Sequence, residues 1–93
     1  YSGAQVFYNA NPMSQELAAI LQSNFRQNLS PNNQRKIKKS SGIYLMEHIS
    51  CPGILVECGF LSNPTEEAKL RNPMYQKQIC AVIGTTVSQF LNT

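Results

Sequence analysis

Glu57 is the residue best placed to do chemistry. It is a lone carboxylate at the end of Gly53-Ile-Leu-Val-Glu57, the most apolar run of the chain, and Cys58-Gly59-Phe60 follows at once. Burying a carboxylate is expensive unless it is paired or put to use. Ligands of open α/β sheets bind beyond the carboxyl ends of the strands. A desolvated Glu there has a raised pKa suited to general acid or base work near neutral pH. The same placement fits a carboxylate that caps a strand end by accepting backbone or lysine hydrogen bonds, and position alone leaves both roles open.

The other candidates carry less. His48-Ile-Ser-Cys51, with Glu47, has the spacing of a small metal site, but such a site needs about three protein ligands and supporting groups, and nothing nearby completes the set. His48 therefore reads as a surface or turn histidine. Cys58 adjoins Glu57, yet strand alternation turns it to the opposite face and no histidine is spaced to form a dyad with it. It reads as a small buried hydrophobe, and Cys51 and Cys80 read the same way. Three cysteines without a C-x-x-C pair form neither a disulfide framework nor a cysteine-rich zinc module, so free thiols are expected. Arg35-Lys-Ile-Lys-Lys39 concentrates the chain's positive charge in a solvated loop or short helix.

Elements must hold these residues in place. The 93 residues, with 42% hydrophobic and 14% charged, suffice for one compact core and exclude a disordered tract, a collagen-like repeat and a coiled coil. A net charge of +3 is too weak a footprint for a dedicated nucleic-acid binder. Apolar runs fall far short of the ~20 residues that span a bilayer. The chain opens without Met, directly on strand-like residues, which leads us to expect a cut made inside a longer protein.

Gly3 to Tyr8 has the profile of a buried strand that ends at the turn-forming Asn9-Ala-Asn-Pro12. From Met13 to about Leu29, apolar residues at three- and four-residue steps (Leu17, Ala18, Leu21, Phe25, Leu29) predict an amphipathic helix, with Gln15, Gln22, Arg26 and Asn28 on other faces. Ile43 to Met46 predicts a short strand, which Glu47-His48-Ile49 could instead turn into helix. The run from Pro52 to Phe60 predicts a central strand covered on both faces, with Ile54, Val56 and Cys58 on one side and Leu55 and Glu57 on the other. Asn63-Pro64-Thr65-Glu66 is a capping box that starts a helix, and Asn72-Pro73 starts a last one to about Leu91. Its apolar stripe is Tyr75, Ile79, Val82, Ile83, Val87, Phe90 and Leu91. This order predicts an α/β fold, a partial mixed or parallel sheet of about three strands flanked by helices. So small a sheet leaves edge groups open to a partner chain.

The string Pro52-Gly-Ile-Leu-Val-Glu-Cys-Gly-Phe-Leu-Ser-Asn-Pro-Thr-Glu-Glu-Ala68 closely resembles the closing motif of bacterial zinc-dependent N-acetylmuramoyl-L-alanine amidases. Ser2 to Tyr8 looks like that family's strand after its second metal-binding histidine. Arg35 to Lys38 and Ile43 to Met46 look like its basic stretch and the short strand that follows. The resemblance implies that residues 1–93 are the C-terminal part of a single amidase catalytic domain, which supplies Glu57 as the catalytic base. The substrate would be peptidoglycan, cut at the amide between the lactyl group of muramic acid and L-alanine. The implied cofactor is one Zn²⁺, whose ligands lie upstream of Tyr1, so no metal ligand is expected in this chain. Arg35 and Lys38 become substrate contacts through anionic cell-wall groups, and Ser62 a weaker one. The implied location is secreted or cell-envelope, in a bacterium. From a different class, a noncatalytic module derived from an amidase could bind the cell wall or a partner through the open sheet edge.

Overall fold

The computed structural model describes residues 3–59 and 64–92. Seven elements follow one another: β1 (Gln5–Tyr8), α1 (Pro12–Asn28), β2 (Lys38–Lys39), α2 (Tyr44–His48), β3 (Ile54–Glu57), α3 (Pro64–Arg71) and α4 (Pro73–Leu91). The three strands form one mixed sheet in the order β2-β1-β3, parallel between β1 and β2 and antiparallel between β1 and β3. The expected α/β class and strand number therefore hold.

Capping chemistry sets the helix starts. Asn11 accepts the Met13 N–H at 2.9 Å, and Asn72 accepts the N–H groups of Met74 and Tyr75 at 2.8 and 3.4 Å. A proline follows each cap and begins its helix. The corresponding cap expected at Asn63 lies outside the described residues, as does Ser62.

The apolar stripe of α1 lies on the sheet as the periodicity demands. Ala18, Leu21 and Phe25 are buried with Val6, while Tyr8, Ile54, Val56 and Cys58 pack against them from the strands. α4 packs against α1 and contributes Ile79, Val82 and Ile83 to the same core, and α3 packs on α4. Thr86 is buried inside the α4 stripe because its hydroxyl accepts a hydrogen bond from Asn24 Nδ2 at 2.8 Å, whereas Leu91 at the helix end stays exposed.

Four expectations need correction. Residues 44–48 are helix rather than strand: Glu47 Oε1 accepts the Gly42 N–H at 2.9 Å, and His48 stacks on Tyr44 one turn earlier with ring centroids 3.8 Å apart. Lys38 and Lys39 belong to a strand, because Tyr8 O accepts the Ser40 N–H at 2.9 Å and draws this segment alongside β1. The central strand is β1, and among the described residues β3 is an edge strand, with α1 over one face. Finally, Gln22 is buried rather than displayed on a polar face, since β2 is too short to pair the first half of β1. Gln22 Oε1 takes the Val6 N–H at 2.9 Å, and its Nε2 donates to Ala4 O at 2.8 Å in place of a neighbouring strand.

Candidate active site

Strand register decides which side chains meet. Val6, Ile54 and Val56 turn toward α1, so Gln5, Phe7, Leu55 and Glu57 turn away from it. Glu57 stands opposite Gln5, Leu55 opposite Phe7, and Lys38 beside Phe7 on the other edge. Residues level with one another across strands share a face. One face of the sheet therefore gathers Lys38, Phe7, Leu55, Gln5 and Glu57. Leu55 is 38% exposed, and Lys38 and Glu57 are exposed as well.

The predicted division of β3 side chains between two faces is present; on the face away from α1, Gln5 is buried whereas Leu55 and Glu57 are exposed. Glu57 itself is exposed, on the face turned away from α1. It forms no salt bridge among the described residues, where the ion pair shown is Arg71–Glu67 at 2.5 Å, one helical turn apart. The carboxylate is thus held on a strand end and left open to a reacting partner on that face.

The substrate contacts expected from sequence separate in space. Lys38 shares the face of Glu57. Arg35 instead lines a cleft of about 210 Å³ on the α1 side, with Gln22, Ser23, Arg26 and Lys36. Arg26 spans that cleft's wall, donating from Nε to Asn33 O at 2.7 Å and from Nη2 to Arg35 O at 3.0 Å. A second cleft, about 310 Å³, lies between α1 and α4 and is lined by Asn24, Asn28, Val82 and Thr86. Glu57 lines neither.

The thiols take no part in a nucleophilic site. Cys58 is half-buried against the core, and burial, reinforced by nearby Cys80, pushes its pKa up, so it stays protonated near neutral pH. Cys51 and Cys80 are free and exposed, contrary to the expectation of burial; Cys51 lies in the turn before β3 and Cys80 in α4.

No group of three His, Cys, Asp or Glu side chains able to hold a metal occurs among the described residues. The His48 ring spends Nδ1 on Tyr44 O at 2.8 Å, and Glu47 is engaged with Gly42. The residues present therefore do not fit a zinc ion by themselves.

Sequence reasoning missed the role of Glu66. Its capping partner Asn63 lies outside the described residues; Glu66 is 1% exposed, and its Oε1 also accepts the N–H of Gly3, 63 positions earlier, at 2.6 Å. Tyr75 lies close enough to feel it. Burial first, and the Glu66 charge second, push the Tyr75 pKa up, against a hydrogen bond with Ser30 that lowers it. Nothing in the local pattern of two adjacent glutamates tells which one turns inward.

Residues 1–89 match the family described as N-acetylmuramoyl-L-alanine amidase. The chain is 44% identical over 84 residues to the germination-specific N-acetylmuramoyl-L-alanine amidase of Bacillus subtilis (strain 168), covering 89% of this chain and 35% of that protein. The CwlD amidase from Clostridioides difficile, solved in complex with the GerS lipoprotein, superposes with a TM-score of 0.92 at 34% identity, over 99% of this chain and 47% of that one. An N-acetylmuramoyl-L-alanine amidase from Clostridium difficile 630 gives a TM-score of 0.89 at 30% identity, over 100% of this chain and 50% of that one. The chain thus spans about a third to a half of the proteins it matches. With its sheet, its helices and nearly all of its length accounted for by one match, the chain belongs to the N-acetylmuramoyl-L-alanine amidase family.

Proposed function

We propose that this chain is the part of a peptidoglycan amidase that supplies the proton acceptor for hydrolysis of the bond between the lactyl group of N-acetylmuramic acid and L-alanine. Glu57 is that acceptor. A carboxylate within hydrogen-bond reach of the attacking water removes its proton as the tetrahedral centre forms, then returns it to the departing amine of L-alanine. The observation that carries the reading is the exposed placement of Glu57 at the end of β3, with no ion pair to it among the described residues. Lys38, on the same face, supplies positive charge toward the carboxylates of the stem peptide or other anionic wall groups. The family resemblance implies one Zn²⁺. Its ligands belong to the remainder of the longer protein, and no step of the proposal is assigned to it. The same reasoning places the protein outside the cytoplasmic membrane, where its substrate is. Among the described residues no helix is long and apolar enough to cross a membrane.

The test is Glu57→Gln in the intact enzyme, assayed on purified peptidoglycan. A general base is worth about 10²- to 10⁴-fold, so turnover should fall by that much while zinc content and thermal midpoint stay near wild type. Turnover close to wild type would remove the assignment.

A second reading is favoured by the edge position of β3: a noncatalytic module that binds the cell wall or a partner by strand addition. Binding to purified peptidoglycan that survives a metal chelator, with no cleavage by the intact protein, would select it.

A further inference from the structure

The antiparallel ladder between β1 and β3 runs from Tyr8 opposite Ile54 to Gln5 opposite Glu57. In the same register Gly3 would stand opposite Gly59. The space at that rung is taken by a side chain from another element. Glu66, in the first turn of α3, accepts the Gly3 N–H at 2.6 Å through Oε1. Its Oε2 neighbours Gly59, where an added methyl group would meet it at an ordinary contact distance of 3.5 Å. The carboxylate is therefore set between the start of β1 and the end of β3, two residues beyond Glu57.

The rest of the entry to β1 is held just as firmly. Gly3 has φ +92°, and a Cβ on it would meet Asn33 Nδ2 at 2.6 Å. Asn33 Nδ2 in turn donates to Ala4 O at 3.0 Å, alongside Gln22. With β1 fixed from the helix layer, the Glu66 carboxylate lies between that fixed strand start and the segment that follows β3. A buried carboxylate is costly to place unless its bonds are put to use. What it supplies is an acceptor oxygen on a side chain of α3, which ties the start of β1 to that helix at a distance set by the length of the side chain.

We propose that Glu66 is a positioning residue: wedged as a carboxylate rung between β1 and β3, it sets the place of the strand end that carries Glu57. The inference rests on the reading of Glu57 as proton acceptor, and its test separates the two. In the intact enzyme, Glu66→Gln keeps an acceptor oxygen at the same reach without the charge, while Glu66→Asp keeps the charge and withdraws it by one methylene. A misplacement of about 1 Å costs up to about a hundredfold in rate, so Glu66→Asp should lose about ten- to a hundredfold in kcat with KM within about threefold of wild type. Glu66→Gln should restore kcat to within about threefold. Unchanged kcat in Glu66→Asp, or equal losses in both variants, overturns the proposal. Should Glu66→Asp fail to fold, Glu66→Gln decides alone: a tenfold or greater loss of kcat at an unchanged thermal midpoint overturns it. Glu57→Gln runs in parallel. High turnover there refutes the Glu57 assignment and the purpose given to Glu66 with it, whereas low turnover there beside an unaffected Glu66→Asp refutes Glu66 alone.

Discussion

Gln22 of α1 pairs with Val6 of β1 as a strand would: its carbonyl takes the Val6 N–H at 2.9 Å, and its amide serves Ala4 O two residues earlier at 2.8 Å. Both partners are buried, and Ala4 O has a second donor in Asn33, so the group at risk is the Val6 N–H. Gln22→Met keeps most of the volume and removes both hydrogen bonds. An orphaned buried amide costs about 1–3 kcal/mol, and urea unfolding of the intact protein should show a loss in that range. A loss below about 0.5 kcal/mol would mean that water reaches Val6.

Two glycines with positive φ make a controlled comparison. Gly3 (φ +92°) is crowded by the buried Asn33 side chain, and Gly42 (φ +75°) faces open space. Alanine at either position meets the left-handed backbone penalty of about 1–2 kcal/mol. Only at Gly3 must a neighbour also move, and that neighbour holds Ala4 O. Gly3→Ala should therefore lower the thermal midpoint well beyond Gly42→Ala, and equal shifts would contradict the packing around residue 3.

The thiols should label in a fixed order. The Cys58 pKa is raised by burial and by Cys80, so at a given pH its thiolate fraction is smaller than that of an ordinary cysteine, and the thiolate is the species that alkylates. Cys51 and Cys80 are exposed. Mass spectrometry of protein treated with iodoacetamide near pH 7.5 should find those two modified well before Cys58. The stability consequence has the same sign: a raised thiol pKa favours the folded state below the ordinary thiol range, and that contribution disappears as pH climbs through the folded value. Early modification of Cys58 would show that its region opens readily.

Much of this architecture was legible before any coordinates, and the division has a physical basis. Asn11-Pro12 and Asn72-Pro73 start helices through bonds made within three residues, and the α1 stripe needs only its own periodicity. Alternation likewise sorted Val56 from Glu57 correctly. What escaped was decided by distant partners. Ile43-Tyr44-Leu45-Met46 has strand composition, but the turn is closed by the Glu47 side chain and the Tyr44–His48 stack, which makes helix. The rank of β1 over β3 in the sheet depends on Lys38 and Lys39 lying alongside it, a pairing no local pattern announces. At the candidate site, Glu57 stood out as a carboxylate in an apolar strand, whereas the bond from Gly3 to Glu66 spans 63 positions and leaves no local trace.

Lys38 and Arg35 read alike in sequence, as two cations of one basic run, but the structure divides them. The parallel register sets Lys38 beside Phe7, on the face that carries Leu55 and Glu57, while Arg35 lines the cleft under α1 on the other side of the sheet. If anionic groups of peptidoglycan approach the Glu57 face, Lys38 attracts them and Arg35 does not. One exposed charge acting over several ångströms is worth about 1 kcal/mol, which corresponds to about fivefold in KM. Lys38→Ala should raise KM for peptidoglycan by about that factor at low salt, with the difference shrinking as ionic strength rises and kcat little changed. Arg35→Ala should leave KM nearly unaltered. The reverse ranking would move the substrate path to the α1 side, away from Glu57, and would count against Glu57 as the proton acceptor.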